Sequence, residues 1–278
     1  MLLATLLALG AAVLHAGWNL VAKRAEGDIY MVLWAQFFVG GVIALPLMIG
    51  NHLLLGMPWQ GYAWGAISGC THLPYTWLLA RAYTHGDFSV SYPVARGGGA
   101  ALAAIGGVVL LGDHLGGLQI LGIAIVVMGL MLLAFGATGP NLAMALAVAV
   151  TIGTYTLLDA KGARATASVA YIFITFVGTA VSNTAFSLVT GRRSHMGAML
   201  RANWRRAAVT GMASLVTYGL VLVAVQHAPV GYVSALRESS VVLAALAGWK
   251  LLGEGDHRRR ITAAGVVFAG LLVLVLGA

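Results

Sequence analysis

Cysteine is nearly absent from this chain: Cys70 is the only one in 278 residues. That excludes an intrachain disulfide and a cysteine-held metal cluster. Charge is scarce as well. Asp, Glu, Lys and Arg together make up 9% of the residues, against about 25% in a soluble domain. So few charges cannot cover a soluble surface, least of all when 60% of the residues are hydrophobic. Nucleotide and hydrolase signatures are missing too. There is no Gly-x-x-x-x-Gly-Lys-Ser/Thr loop to cradle a phosphate, no His-Glu-x-x-His and no Gly-x-Ser-x-Gly. No cofactor and no metal are expected, and an ATP-driven reaction is not.

What the chain does have is long apolar runs. A membrane-crossing helix needs roughly 20 apolar residues. Runs of about that length fall at 2–22, 29–50, 59–80, 88–111, 116–136, 140–158, 168–190, 206–226, 229–252 and 260–278. They lack the alternating polarity of a membrane barrel. Residues 1–14 run into Leu14-His15-Ala16-Gly17 as a signal peptide would. They carry no basic leader, however, and the run continues past Trp18 to Ala22, so they read as a first span. The net charge of +8 does not point to nucleic acid. The Lys and Arg residues sit mostly in short connections, where they orient spans and meet anionic lipid.

Two arginines break the pattern. Arg96 and Arg237 lie inside apolar runs, where a charge costs ~2.5–3.5 kcal/mol on insertion scales. Their numbers differ by 141. So do those of Asp113 and Glu254, which end Leu110-Leu111-Gly112-Asp113 and Leu251-Leu252-Gly253-Glu254. The chain therefore reads as two copies of one unit, 1–138 and 139–278. Five spans per copy is an odd number, so the second copy must be inverted across the membrane. The predicted fold is all-α and integral to the membrane: ten transmembrane helices as two inverted five-helix repeats. Lys23, Arg24, Arg81, the cluster 192–206 and Arg258 to Arg260 fall on one face, which the positive-inside rule makes cytoplasmic. Both termini then lie on the other side. Lys161 and Arg164 dissent. Inverted repeats with a site near the midplane are a recurrent transporter design.

Polar residues at helical spacing mark faces in six of the ten runs. His15, Trp18 and Asn19 share one, as do Ser68, His72, Tyr75 and Thr76. Tyr92 and Arg96 share another, and Thr151, Thr154, Tyr155 and Asp159 a fourth. Ser214, Thr217 and Tyr218, then Ser234 and Arg237, complete the set. The candidate substrate-binding residues are His15, Trp18, Asn19, His72, Tyr75, Tyr92, Arg96, Tyr155, Tyr218 and Arg237. Small hydroxyls also serve as glue between membrane helices, at ~0.6 kcal/mol each. Trp59 and Trp204, near span ends, suit interfacial anchors. The stripe Thr175, Thr179, Ser182 and Asn183 has no cavity role assigned. Glu238 adjoins Arg237, but neighbours at i,i+1 point about 100° apart. It is the candidate proton-coupling or gating residue, with a fixed bridge to Arg96 or His72 as the alternative. The expected site is asymmetric: Arg96 anchors substrate, and Arg237 with Glu238 gates.

The segments Ser89-Val90-Ser91-Tyr92-Pro93-Val94-Ala95-Arg96 through Asp113, and Tyr232-Val233-Ser234-Ala235-Leu236-Arg237-Glu238 through Glu254, resemble the EamA-type repeats of the drug/metabolite transporter superfamily. His15-Ala16-Gly17-Trp18-Asn19 with Lys23 is similar to the first helix of many members. Asp113 departs mildly, since Glu is commoner there. The resemblance implies a central cavity lined by spans one, three, four, six, eight and nine. Members move amino acids, nucleotide sugars, triose phosphates, drugs and other metabolites. The function expected is secondary active transport of a small anionic or zwitterionic metabolite across the inner membrane by alternating access. The protein would act as a monomer, with protons as coupling ion. The alternatives are an exporter of amino acids or amphipathic drugs, and, in another class, a membrane enzyme or lipid-binding scaffold using His15 and His72.

Overall fold

The computed structural model describes residues 1–23, 27–85, 88–133, 140–167, 169–243 and 257–278. The helices are α1 (Leu2–Lys23), α2 (Ile29–Leu54), α3 (Trp59–His85), α4 (Phe88–Leu111), α5 (Gly117–Leu133), α6 (Pro140–Thr166), α7 (Tyr171–Val189), α8 (Arg193–His227), α9 (Val230–Arg237) and α10 (His257–Leu276). No strand occurs among the described residues. Among the described residues, five stretches are long and apolar enough to cross a membrane: Ile29–Leu54, Pro93–Leu111, Leu142–Thr166, Tyr171–Val189 and Arg193–His227. Leu2–Trp18, Gly117–Leu132 and Ile261–Leu276 are shorter apolar helices.

Packing follows the logic of a bilayer, with small residues inside and large apolar ones outside. In α1, Ala4, Ala8 and Ala11 form a fully buried stripe, while Leu2 and Leu6 are 75% and 60% exposed. The stripe lies against α8 and α9, where Thr5 Oγ1 and Tyr232 Oη hydrogen-bond at 2.7 Å. Between α3 and α7 the backbones nearly touch. A Cβ on Gly69 would lie 2.5 Å from the carbonyl carbon of Gly178. The stripe of α7 explains itself here. Ser182 donates to the Gly69 carbonyl at 2.8 Å, and Tyr30 of α2 donates to the Asn183 carbonyl at 3.2 Å. Thr175 and Thr179 bond back to carbonyls one turn earlier. Ser182 thus ties α7 to α3, and Tyr30 ties α2 to α7.

The two sequence halves interleave rather than sit side by side. α1 packs on α8, α2 on α7 and α8, α3 on α6 and α7, and α4 on α6. The apolar helices α5 and α10 pair with each other.

Three elements differ from expectation. The basic stretch 191–206 is not a loop: α8 begins at Arg193, with a break at Asn203 where φ is −127° and ψ 17°. Its first part lays Met196, Met199 and Leu200 on the cluster of Tyr30, Met31 and Trp34, while Arg201, Trp204 and Arg205 are exposed. That is how an amphipathic helix lies at a membrane surface. Second, α6 runs past residue 158 to Thr166, so Asp159 lies within the helix. Third, α9 ends at Arg237, and Glu238 caps it with its N–H on the carbonyls of Ala235 and Leu236. Residues 239–243 are helical again, and Ser239 Oγ donates to the Leu236 carbonyl at 2.7 Å. The expected ninth span is thus interrupted at its charged pair.

Candidate functional site

The interruption faces α4 and α6. Arg96, Gly99, Ala100, Ile152, Thr156, Ser234, Arg237 and Glu238 line a small cavity there. It admits little more than one water molecule. Gly99 allows the close approach of α6, because a Cβ on it would meet Ile152 Cγ2 at 2.5 Å.

Arg96 and Glu238 form a two-point bridge. Arg96 Nη2 lies 2.8 Å from Glu238 Oε1, and Arg96 Nε donates to Oε2 at 3.1 Å. Both side chains are buried. The Nε contact is a charge-assisted hydrogen bond, and the Nη2 contact adds a close ion pair. Glu238 therefore joins Arg96 of α4, not its sequence neighbour Arg237. The helix break and the angular offset of adjacent residues turn it away. Arg237 is also buried, at 7% exposure, with its guanidinium carbon 5.9 Å from the centre of the Tyr218 ring. Among the described residues no carboxylate lies within ion-pair distance of it. The centre thus holds two arginines and one glutamate. Of the two, Arg96 is the bridged arginine, and Arg237 has no described carboxylate within ion-pair distance.

Next to this lies an aromatic cluster. His72 stacks on Tyr155 at 4.4 Å between ring centres, with Tyr75 and Tyr218 edge-on to it. Arg96 and Arg237 are the charges that act on His15, whose ring meets Trp18 edge-on at 4.8 Å. The indole N–H of Trp18 is buried and has no hydrogen-bond partner among the described residues. The structure thus brings His72, Tyr75, Tyr155 and Tyr218 together, with Tyr218 beside Arg237, and sets His15 against Trp18. The side chains of Asn19 and Tyr92 lie outside the described residues. Thr154 falls away from the cluster: it is exposed and bonds back to the Val150 carbonyl.

Asp159 belongs to this cluster and had no assigned role. It is fully buried and accepts hydrogen bonds from Tyr171 Oη at 2.9 Å and from Tyr218 Oη. Its place on the face of Thr151 and Tyr155 was the available signal.

A second ion pair closes one end of the bundle. Gly112, at φ +71°, turns the chain out of α4, and the Asp113 N–H returns to the Gly107 carbonyl at 2.9 Å. Asp113 Oδ1 then meets Arg164 Nη1 at 2.7 Å, and Oδ2 accepts the Val230 N–H at 2.7 Å. Arg164 also donates to the carbonyls of Val225 and Ala228 at 2.7 and 3.0 Å. Lys161 sits 4.9 Å over the Trp64 ring. The two charges that dissent from the positive-inside rule are thus engaged with protein groups.

Residues 140–276 match the model of the EamA-like transporter family. This half of the chain belongs to that family. The match takes in the segment that bears Arg237 and agrees with membership of the drug/metabolite transporter superfamily, and EamA members are transporters. No curated protein matches the chain. A solved structure, described only as the crystal structure of a protein, is similar with TM-score 0.76 and 19% identity, over 99% of each chain. At that identity the likeness concerns the fold alone.

Proposed function

We propose that this EamA-type protein is a secondary transporter of a small polar metabolite bearing a carboxylate or phosphate. Arg237 carries the reading: among the described residues no carboxylate comes within ion-pair distance of this buried guanidinium, which leaves it to an anion supplied by the substrate. Tyr218, Tyr155 and Trp18 would shape the rest of the site. The inverted five-plus-five arrangement, the inner membrane and a monomeric working unit belong to the same proposal, supported by the repeat at 141 residues and the one-sided basic clusters. The closed cavity fits an occluded stage of alternating access. The moving bodies would not be the two sequence halves, since their helices pack chiefly on one another. Glu238, held at two points by Arg96, fits a fixed bridge better than a proton carrier.

The test begins with thermal unfolding of the purified protein against a library of carboxylates, phosphates and amines. A bound ligand raises apparent stability. We expect anionic compounds to raise Tm in the wild type and not in Arg237→Ala. The hit is then carried into counterflow in proteoliposomes, where Arg237→Ala should lose exchange while remaining folded. Stabilisation by amines alone, or undiminished exchange in Arg237→Ala, would sink the assignment.

A further inference from the structure

Two carboxylates are buried in the described interior, and they are held differently. Glu238 has a permanent cation on both oxygens. Asp159 is fully buried, and among the described residues no Lys or Arg reaches it within ion-pair distance. Its neighbours are hydroxyls and one imidazole: Tyr171 from α7, Tyr218 from α8, and Ser68 and His72 from α3. Tyr155, on its own helix, meets Tyr218 edge-on and feels the charges of Asp159, Glu238 and both arginines. A buried charge is retained when it is paired and tends to be neutralised when it is not.

We infer that Asp159 is the proton-binding site of this protein: its carboxyl takes a proton from solvent and returns it. His72 is built to stand beside it. Its Nδ1 lies 2.9 Å from the Ser68 carbonyl, which can only accept, so Nδ1 carries the hydrogen and Nε2 of the neutral ring is left bare.

The charge count gives the binding a direction, a step that rests on the proposed transport reading. With Asp159 ionised, the four buried charges among the described residues sum to zero: Arg96 and Arg237 positive, Glu238 and Asp159 negative. An anion arriving at Arg237 makes the interior negative by one. A proton on Asp159 restores neutrality. Proton and anion therefore bind together, which is the arrangement of a symporter and not of an exchanger.

Infrared difference spectroscopy of the purified full chain, recorded between high and low pH, tests the site without any substrate. Eight Asp and Glu residues in the chain keep the carbonyl region readable. We expect a protonated-carboxyl band that grows as pH falls, vanishes in Asp159→Asn, persists in Asp159→Glu at a shifted frequency, and persists in Glu238→Gln. If Asp159→Asn does not fold, Tyr171→Phe and Tyr218→Phe take its place. Each removes a hydrogen-bond donor from the carboxyl and should move the band in a folded protein. No band in the wild type, a band unchanged in Asp159→Asn or in both Phe variants, or one lost in Glu238→Gln overturns the inference. A protein that shows the Asp159 band but no counterflow would refute the transport reading alone.

Discussion

Arg96 and Glu238 give up water on both sides of their bridge, so each depends on the other. Removing one member leaves an uncompensated charge, at a cost of roughly 3–5 kcal/mol. We therefore expect Glu238→Ala and Arg96→Ala each to lower the melting temperature in detergent sharply. Arg96→Met combined with Glu238→Leu should recover much of the loss, because the pair is then replaced by apolar packing. A double variant no more stable than either single one would argue against a bridge whose members depend on each other. Arg237→Ala should cost far less stability than Arg96→Ala. That contrast separates an anchor from a brace, and the same melting series reads it. The arginines and their common register were legible in the sequence because a charge in an apolar run is conspicuous. Their partners were not. Pairing depends on where α9 breaks, and the break is set by what surrounds Glu238, not by the residues next to it in the chain. Asp159 went unassigned for the opposite reason. Hydropathy falls at Lys161 and Arg164, so the span seemed finished while its helix continued for two more turns.

At the scale of elements, contact between helices is set by what is missing from their faces. Gly69 and Gly178 bring α3 and α7 to backbone distance, and the Ser182 bond to the Gly69 carbonyl needs that closeness. Gly69→Val has no flexible neighbour to displace. We expect it to destabilise by ~1–3 kcal/mol or more, the usual range for overpacking, with reduced accumulation in membranes as a second readout. A Gly69→Val protein with wild-type Tm would show that the two helices can separate without loss. The helical character of each apolar run, and the glycine that stops α4, followed from composition and punctuation. The surface portion of α8 did not. Its arginines read as a connection, although Met196, Met199 and Leu200 sit at helical spacing among them and cover the residues around Trp34. A run of basic residues hides an apolar stripe when only average polarity is weighed.

For the whole molecule, the pair Asp113–Arg164 joins the end of α4 to the end of α6 and, through backbone groups, to the α8–α9 corner. The pair is partly exposed on the arginine side, and its strength comes from the carbonyls and the N–H that complete it. Asp113→Asn keeps an acceptor but loses the charge. Asp113→Ala also leaves the Val230 N–H and the arginine without their partner. We expect the order wild type, Asn, Ala in thermal stability, with the Ala variant lower by ~1–3 kcal/mol, the cost of orphaned buried polar groups. Equal melting temperatures in all three would show that the corner holds without this aspartate. Because Arg164 is occupied in this way, its positive charge is a poor guide to which side of the membrane it faces.

The interleaving of the two halves also has a consequence for how the protein is made. A ribosome delivers α1 to α5 before any of α6 to α10 exists. Gln36, which hydrogen-bonds Ser214 at 2.5 Å, and Arg96, bridged to Glu238, must then enter the bilayer without their partners. Until the later helices arrive, these polar groups have to be shielded by the insertion machinery or kept near its edge. A chain stopped after residue 138 should be degraded, and separate expression of residues 139–278 in the same cell should rescue it. Assembly would then proceed by late capture, with the second half of translation completing the first.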